Sequence, residues 1–166
     1  VFGGNGAIES FSILPRLYRD MVVLESWEGT HNILCLQVVR DIARYGIHEP
    51  FFRAMHIQLE GVSRPELIDY AQLVRDGLDR TQALLNRIAA GGEAFAQAHA
   101  RRLTDSLAYV GQATLLLAEA QWELDAVLPT YKPDVIVHFV NQHLRPGYDP
   151  LDDIDYLPRL RRLMGL

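Results

Sequence analysis

The chain has 166 residues, enough for one well-packed core, and its 49% hydrophobic and 22% charged content is that of a globular domain. A formal net charge of −5 excludes a general binder of phosphate backbones, which needs a basic face. The single cysteine, Cys35, excludes an internal disulfide framework and fits a reducing cytosol.

The first feature in chain order is Gly3-Gly4-Asn5-Gly6, a cluster that lets backbone approach another group closely. Taken alone it reads equally as a plain turn, and no strand precedes it to make a dinucleotide fingerprint. The opening residues have neither the basic start nor the apolar core of a signal peptide, and the missing initiator Met suggests a piece of a longer chain. A short helix is expected from about Pro15, carrying Leu17, Tyr18, Met21 and Val22. Trp27-Glu28-Gly29-Thr30 follows, a carboxylate between a large aromatic and a glycine. Trp27 would desolvate Glu28 and raise its pKa toward the range of a general base. Alternatively, Glu28 sits near a helix N-terminus because the macrodipole favours it there.

Gly29 to Tyr45 is apolar around its whole circumference, which predicts a central, buried helix ended by Gly46. Cys35 lies in that run and reads as a buried structural thiol. A further helix is expected over Pro50 to Leu59. Leu67, Ala71, Val74, Leu78, Thr81, Leu85 and Ile88 then recur at spacings of four and three. After Gly91-Gly92 the stripe resumes as Leu103, Leu107, Val110, Thr114, Leu117, Gln121, Leu124 and Leu128. Two such stripes joined by a diglycine predict an antiparallel hairpin whose second helix runs from about Glu93 to Leu128, ~54 Å at ~1.5 Å per residue. Another helix is expected over Pro133 to Leu144, before an acidic, turn-like stretch from Gly147 to Asp155 that reads as a solvated tail or packed arm. Strand alternation and internal repeats are absent, and the expected fold is all-α: a helical bundle with a long antiparallel helical hairpin.

Metal and hydrolase chemistry find no support. His-Glu-x-x-His and Gly-x-Ser-x-Gly elements are missing, and His138 and His143 are spaced by five, off a common helical face. His99 reads as a packing histidine beside the apolar stripe.

The run FGGNG, then Leu17-Tyr18-Arg19-Asp20, then Trp27-Glu28-Gly29-Thr30, then Asn32-Ile33 closely resembles the C-terminal signature of acyl-CoA dehydrogenases. The resemblance covers residues 1 to about 45. The longer helical extension beyond it is similar to the adaptive-response branch of that family. The resemblance implies a division into 1–46, the end of the flavin/base helical domain, and 47–166, an additional helical bundle. It implies that Glu28 is the catalytic base, with Glu28 and Gly29 touching an acyl-CoA thioester. It also implies that Gly3, Gly4, Thr30 and Asn32 lie against FAD, Asn32 standing where Gln is commoner. A cytoplasmic homo-oligomer, a tetramer by family habit, and an electron-acceptor protein would accompany them. The family's N-terminal helical and β-barrel domains are not in this sequence, so this stretch alone should catalyse nothing. Two other readings stand beside this one. Arg101-Arg102 and Arg159-Arg161-Arg162 could touch DNA, or the stripes of residues 60–166 could pair between subunits.

Overall fold

The computed structural model describes residues 3–166, apart from the side chain of Ser26, so Phe2 of the FGGNG run lies outside the described residues. A 3-10 turn at Gly3–Ala7 leads into α1 (Leu14–Ser26), α2 (His31–Tyr45), α3 (His48–Glu60), α4 (Pro65–Ala90) and α5 (Glu93–Asp125). The chain continues as α6 (Lys132–His143), a 3-10 turn at Pro150–Asp152 and α7 (Tyr156–Leu163). Among the described residues there is no strand, and the fold is an all-α bundle.

Helices α4 and α5 form the expected hairpin. All seven residues of the first stripe, Leu67 through Ile88, are buried. In the second, Leu103, Val110, Thr114, Leu117 and Gln121 are buried and Leu107 and Leu124 partly so, whereas Leu128, expected as its last member, is exposed because α5 stops at Asp125. Because the stripes face each other within one chain, their burial requires no second copy. Gly92 reverses the chain at φ +80°, a backbone state that L side chains rarely adopt. The preceding Gly91 leaves room for the Phe95 ring, whose Cδ1 would lie 2.4 Å from a Cβ there.

The hub is α5 rather than α2. Helices α2, α3, α4 and α6 all pack on α5, while α7 packs on α6. Small buried residues on α5 make this possible: Ala100, Gly111, Ala113 and Ala120 let neighbouring helices come close. A Cβ at Gly111 would already sit 3.4 Å from the Phe51 ring of α3. By contrast, α2 buries only Cys35 and Ile42, with Ile33 52% exposed. Its all-round apolar character therefore does not make it central in this chain. One face packs on α5 and the other stays open. Gly46 ends α2 as expected, at φ +63° with its N–H donating to the Ile42 carbonyl.

Two buried hydroxyls are satisfied within their own helices. Thr81 and Thr114 donate their hydroxyls to the carbonyls of Gly77 and Val110, each 2.8 Å away and four residues back. Arginines from the start and middle of α4 close helix ends that lack intrahelical donors. Arg64 donates to the Leu124 carbonyl, Arg75 to that of Leu59 and Arg80 to that of Leu144, at 2.7–2.8 Å. Gln121 works in the opposite direction. Its Oε1 accepts from the backbone N–H groups of Ser63 and Arg64, both at 3.0 Å, and its Nε2 donates to Asp125 at 2.8 Å.

The acidic stretch after Gly147 is a packed arm. Asp153 accepts from Tyr148 and pairs with Arg159 of α7, which is only 4% exposed. Burial pushes the Asp153 carboxyl up, but the Tyr148 hydroxyl and the Arg159 guanidinium together outweigh it and hold the group below its ordinary range. Arg162 and Asp134 fasten α7 to α6 through a bidentate pair at 2.6 and 2.7 Å.

Candidate functional site

The residues singled out in the sequence fall on the N-terminal segment and its junction with α2. Gly3 and Gly4 open the first 3-10 turn, exposed and with open space where a Cβ would stand. This turn packs on α1. The Ser12 hydroxyl donates to the Gly6 carbonyl at 3.2 Å, and Arg19 of α1 pairs with Glu9. Arg19 is thus held by a nearby glutamate and leaves Asp20 to a looser contact with Arg16 at 3.9 Å.

Glu28 and Gly29 lie in the turn between α1 and α2. Gly29 has φ +122°, and a Cβ there would press Ile33 Cγ2 at 3.3 Å. Both the backbone state and the space select glycine. Thr30 is the N-cap of α2, yet its hydroxyl makes no capping bond. No acidic residue occupies the first turn of α2, where Asn32 is exposed. The leading amides of a 15-residue helix therefore carry their partial positive charge without a side-chain partner. Glu28, Gly29, Thr30 and Asn32 come together by adjacency at that helix end. Gly3 and Gly4 belong to a separate turn on the α1 side.

The expected desolvation of Glu28 is not supplied by Trp27. Trp27 is 75% exposed and Glu28 is exposed beside it. A groove of about 900 Å³ lies along the C-terminal part of α2, against Leu85, Ala89 and Ala96 of the hairpin tip. The part of α2 that lines this groove lies between Leu36 and Tyr45, and neither Glu28 nor the first turn of α2 belongs to its wall. Among the described residues no cluster of His, Cys, Asp and Glu could hold a metal ion. No helix there is long and apolar enough to cross a membrane.

Of the arginine runs noted in the sequence, Arg101 is paired with Asp105 at 2.9 Å, Arg159 with Asp153, and Arg162 with Asp134. These pairs leave Arg102 and Arg161 as the only members without a carboxylate among the described residues. Two separated cations do not make the continuous basic stripe that a nucleic-acid backbone requires.

Over 65 residues, 39% of this chain, the sequence is 42% identical to "Putative acyl-CoA dehydrogenase AidB" of Escherichia coli strain K12. The likeness is to an acyl-CoA dehydrogenase-like protein. It covers 12% of that relative's length, so the chain spans only a small part of the protein that it matches. No family model and no solved structure matches the chain.

Proposed function

We propose that this chain is part of an FAD-dependent acyl-CoA dehydrogenase in which Glu28 removes the α-proton of an acyl-CoA thioester. The observation that carries this reading is the turn at residues 27–30. Gly29, at φ +122°, presents Glu28 directly ahead of the uncapped amides of α2. The order of the FGGNG, Arg-Asp and Trp-Glu-Gly-Thr elements and the likeness to the Escherichia coli relative support it.

The proton next to a thioester carbonyl is far less acidic than a carboxylic acid, so a carboxylate can remove it only if the developing oxyanion is stabilised. The backbone N–H of Glu28 would donate to that oxygen while the side chain takes the proton. Gly29 keeps this backbone clear of side-chain bulk. Thr30 carries a hydroxyl not spent on capping and Asn32 an exposed amide, both able to hydrogen-bond the cofactor from the first turn of α2. The open space at Gly3 and Gly4 fits close passage of a neighbouring subunit's cofactor, in keeping with a homo-oligomer, tetrameric in this family. FAD, when bound, supplies a two-electron acceptor for the β-hydride, later reoxidised by an electron-acceptor protein. In this reading the flavin/base unit is 1–46, the remaining helices are an added bundle, and the assembly is cytoplasmic.

The test is Glu28→Gln in the protein that carries all the domains of the family. The amide keeps the shape and loses the basicity, so turnover should vanish while flavin stays bound. Activity within about tenfold of wild type, roughly 1.4 kcal/mol in barrier, would remove Glu28 from the role of base. The 166-residue chain alone should be folded, helical and flavin-free, as measured by circular dichroism and the visible spectrum. Stoichiometric FAD in it would show the cofactor site to be misplaced.

A further inference from the structure

A second concavity lies on the other side of the bundle, between the middle of the hairpin and the end of α6, with a volume of about 380 Å³. Its rim carries Arg80 from α4, Arg102 from α5, and His143 and Arg145 from the end of α6. No carboxylate lines it, although the chain as a whole is acidic, with a net charge of −5. None of the three arginines has an ion-pair partner among the described residues, whereas Arg64, Arg101, Arg159 and Arg162 all do. Gathering three cations from separate elements with no counter-charge is electrostatically unfavourable unless an anion joins them.

Two of these guanidinium groups are also held in place. Arg80 Nη2 donates to the Leu144 carbonyl at 2.7 Å, which fixes the side chain and leaves its other N–H groups free. Arg145 sits over the Tyr70 ring at 6.0 Å. His143 is stacked on Tyr109 with centroids 4.3 Å apart and forms one wall of the concavity. The hydroxyls of Ser106 and Thr81 donate to their own helix at 2.8–2.9 Å, so recognition falls to the arginines and His143.

We infer that this pocket binds a small phosphorylated molecule, gripping a phosphate or diphosphate group through Arg80, Arg102 and Arg145. Guanidinium forks match phosphate oxygens bidentately, and a volume near 380 Å³ suits a compact ligand. A nucleic-acid duplex fits less well. Its phosphates run at one charge per ~1.7 Å of axis and call for an extended basic track. The neighbouring Arg101 is neutralised by Asp105 at 2.9 Å, so the positive surface stops at the pocket.

Calorimetric titration of inorganic pyrophosphate into the intact protein at low ionic strength tests the assignment. Saturable binding is expected, weakened at least about tenfold in the double variant Arg102→Ala/Arg145→Ala. Both residues are exposed and neither caps a helix, so thermal melting should be unchanged. Arg53→Ala/Arg161→Ala removes the same charge away from the pocket and should leave binding within about twofold. Absence of pyrophosphate binding, or equal weakening by the two double variants, would overturn the site. It would likewise be overturned if a random-sequence duplex bound through Arg102 and Arg145 and pyrophosphate failed to displace it.

Discussion

Helices α4 and α5 bury Leu67, Val74, Leu78, Leu103, Val110 and Leu117 almost completely. Helix α1 is as rich in large apolar side chains, with Leu14, Leu17, Tyr18, Met21, Val22, Val23 and Leu24, yet every one of them is exposed. The two regions share amphipathic helix chemistry and differ in whether a partner helix stands opposite. Burial stabilises by ~25 cal/mol per Å² of apolar surface removed from water, so α4 and α5 gain what α1 does not. The bundle is where this chain's own stability resides. The motif segment is ordered by local contacts such as Ser12 with Gly6 and Arg19 with Glu9. The residues proposed for chemistry are all on the side that contributes little to the core.

The sharpest way to break this contrast is in the hairpin. Leu117 is 0% exposed, and Leu117→Ala should cost ~2–5 kcal/mol, read as a large fall in the thermal midpoint. Glu119→Ala, two positions away and exposed, loses only a surface pair with Lys132 and should shift the midpoint little. Equal effects would mean that the stripe does not define the core. Next in size is Arg159→Leu, which leaves Asp153 without its cation and should cost about 1.5–3 kcal/mol in chemical denaturation.

The same arm gives a pH signature. The carboxyl groups of Asp134, held down mainly by its bonds to Arg162, and of Asp153 lie below their ordinary range. Their contribution is complete above the unfolded value of ~3.9 and is lost as pH falls through the lower folded values. Melting between pH 6 and pH 2 should therefore show an acid loss that Asp153→Asn reduces. The smallest effect belongs to α1. Leu24→Ala should leave the midpoint of this chain within about 0.5 kcal/mol, as surface substitutions do. A large loss there would show that α1 is docked on the bundle after all.

Much of this architecture is legible in the sequence. The stripe from Leu67 to Ile88 predicts the buried face of α4 residue by residue, because a 3.6-residue period leaves little choice of which side faces inward. Gly46 and Gly92 mark a helix stop and a reversal for reasons of backbone conformation alone. Helix α2 was harder, since apolar residues all round imply burial and say nothing about whether the covering element is present. Helix α7 gave no signal. It is only 8 residues long, contains Pro158, and its inward-facing residue is an arginine, the type least expected to be buried. At the candidate site the need for glycine at Gly29 follows from its neighbours, but the openness of Trp27 and Glu28 depends on what packs over that turn. The arginines of the second pocket are scattered from Arg80 to Arg145, and only the bundle brings them together.

Gln121 has a mechanical consequence. The hairpin is bent at Gly91-Gly92 at one end, and at the other the side chain of Gln121 on α5 grips the amides that precede α4. Two helices fastened at both ends cannot ratchet past each other, since a one-turn slip of ~5.4 Å would break the glutamine clasp or unwind the diglycine bend. The pair should move as a stiff beam. Any change of shape that accompanies function must then be taken up outside the pair, in links such as residues 27–30 and 46–47, which join α2 to its neighbours.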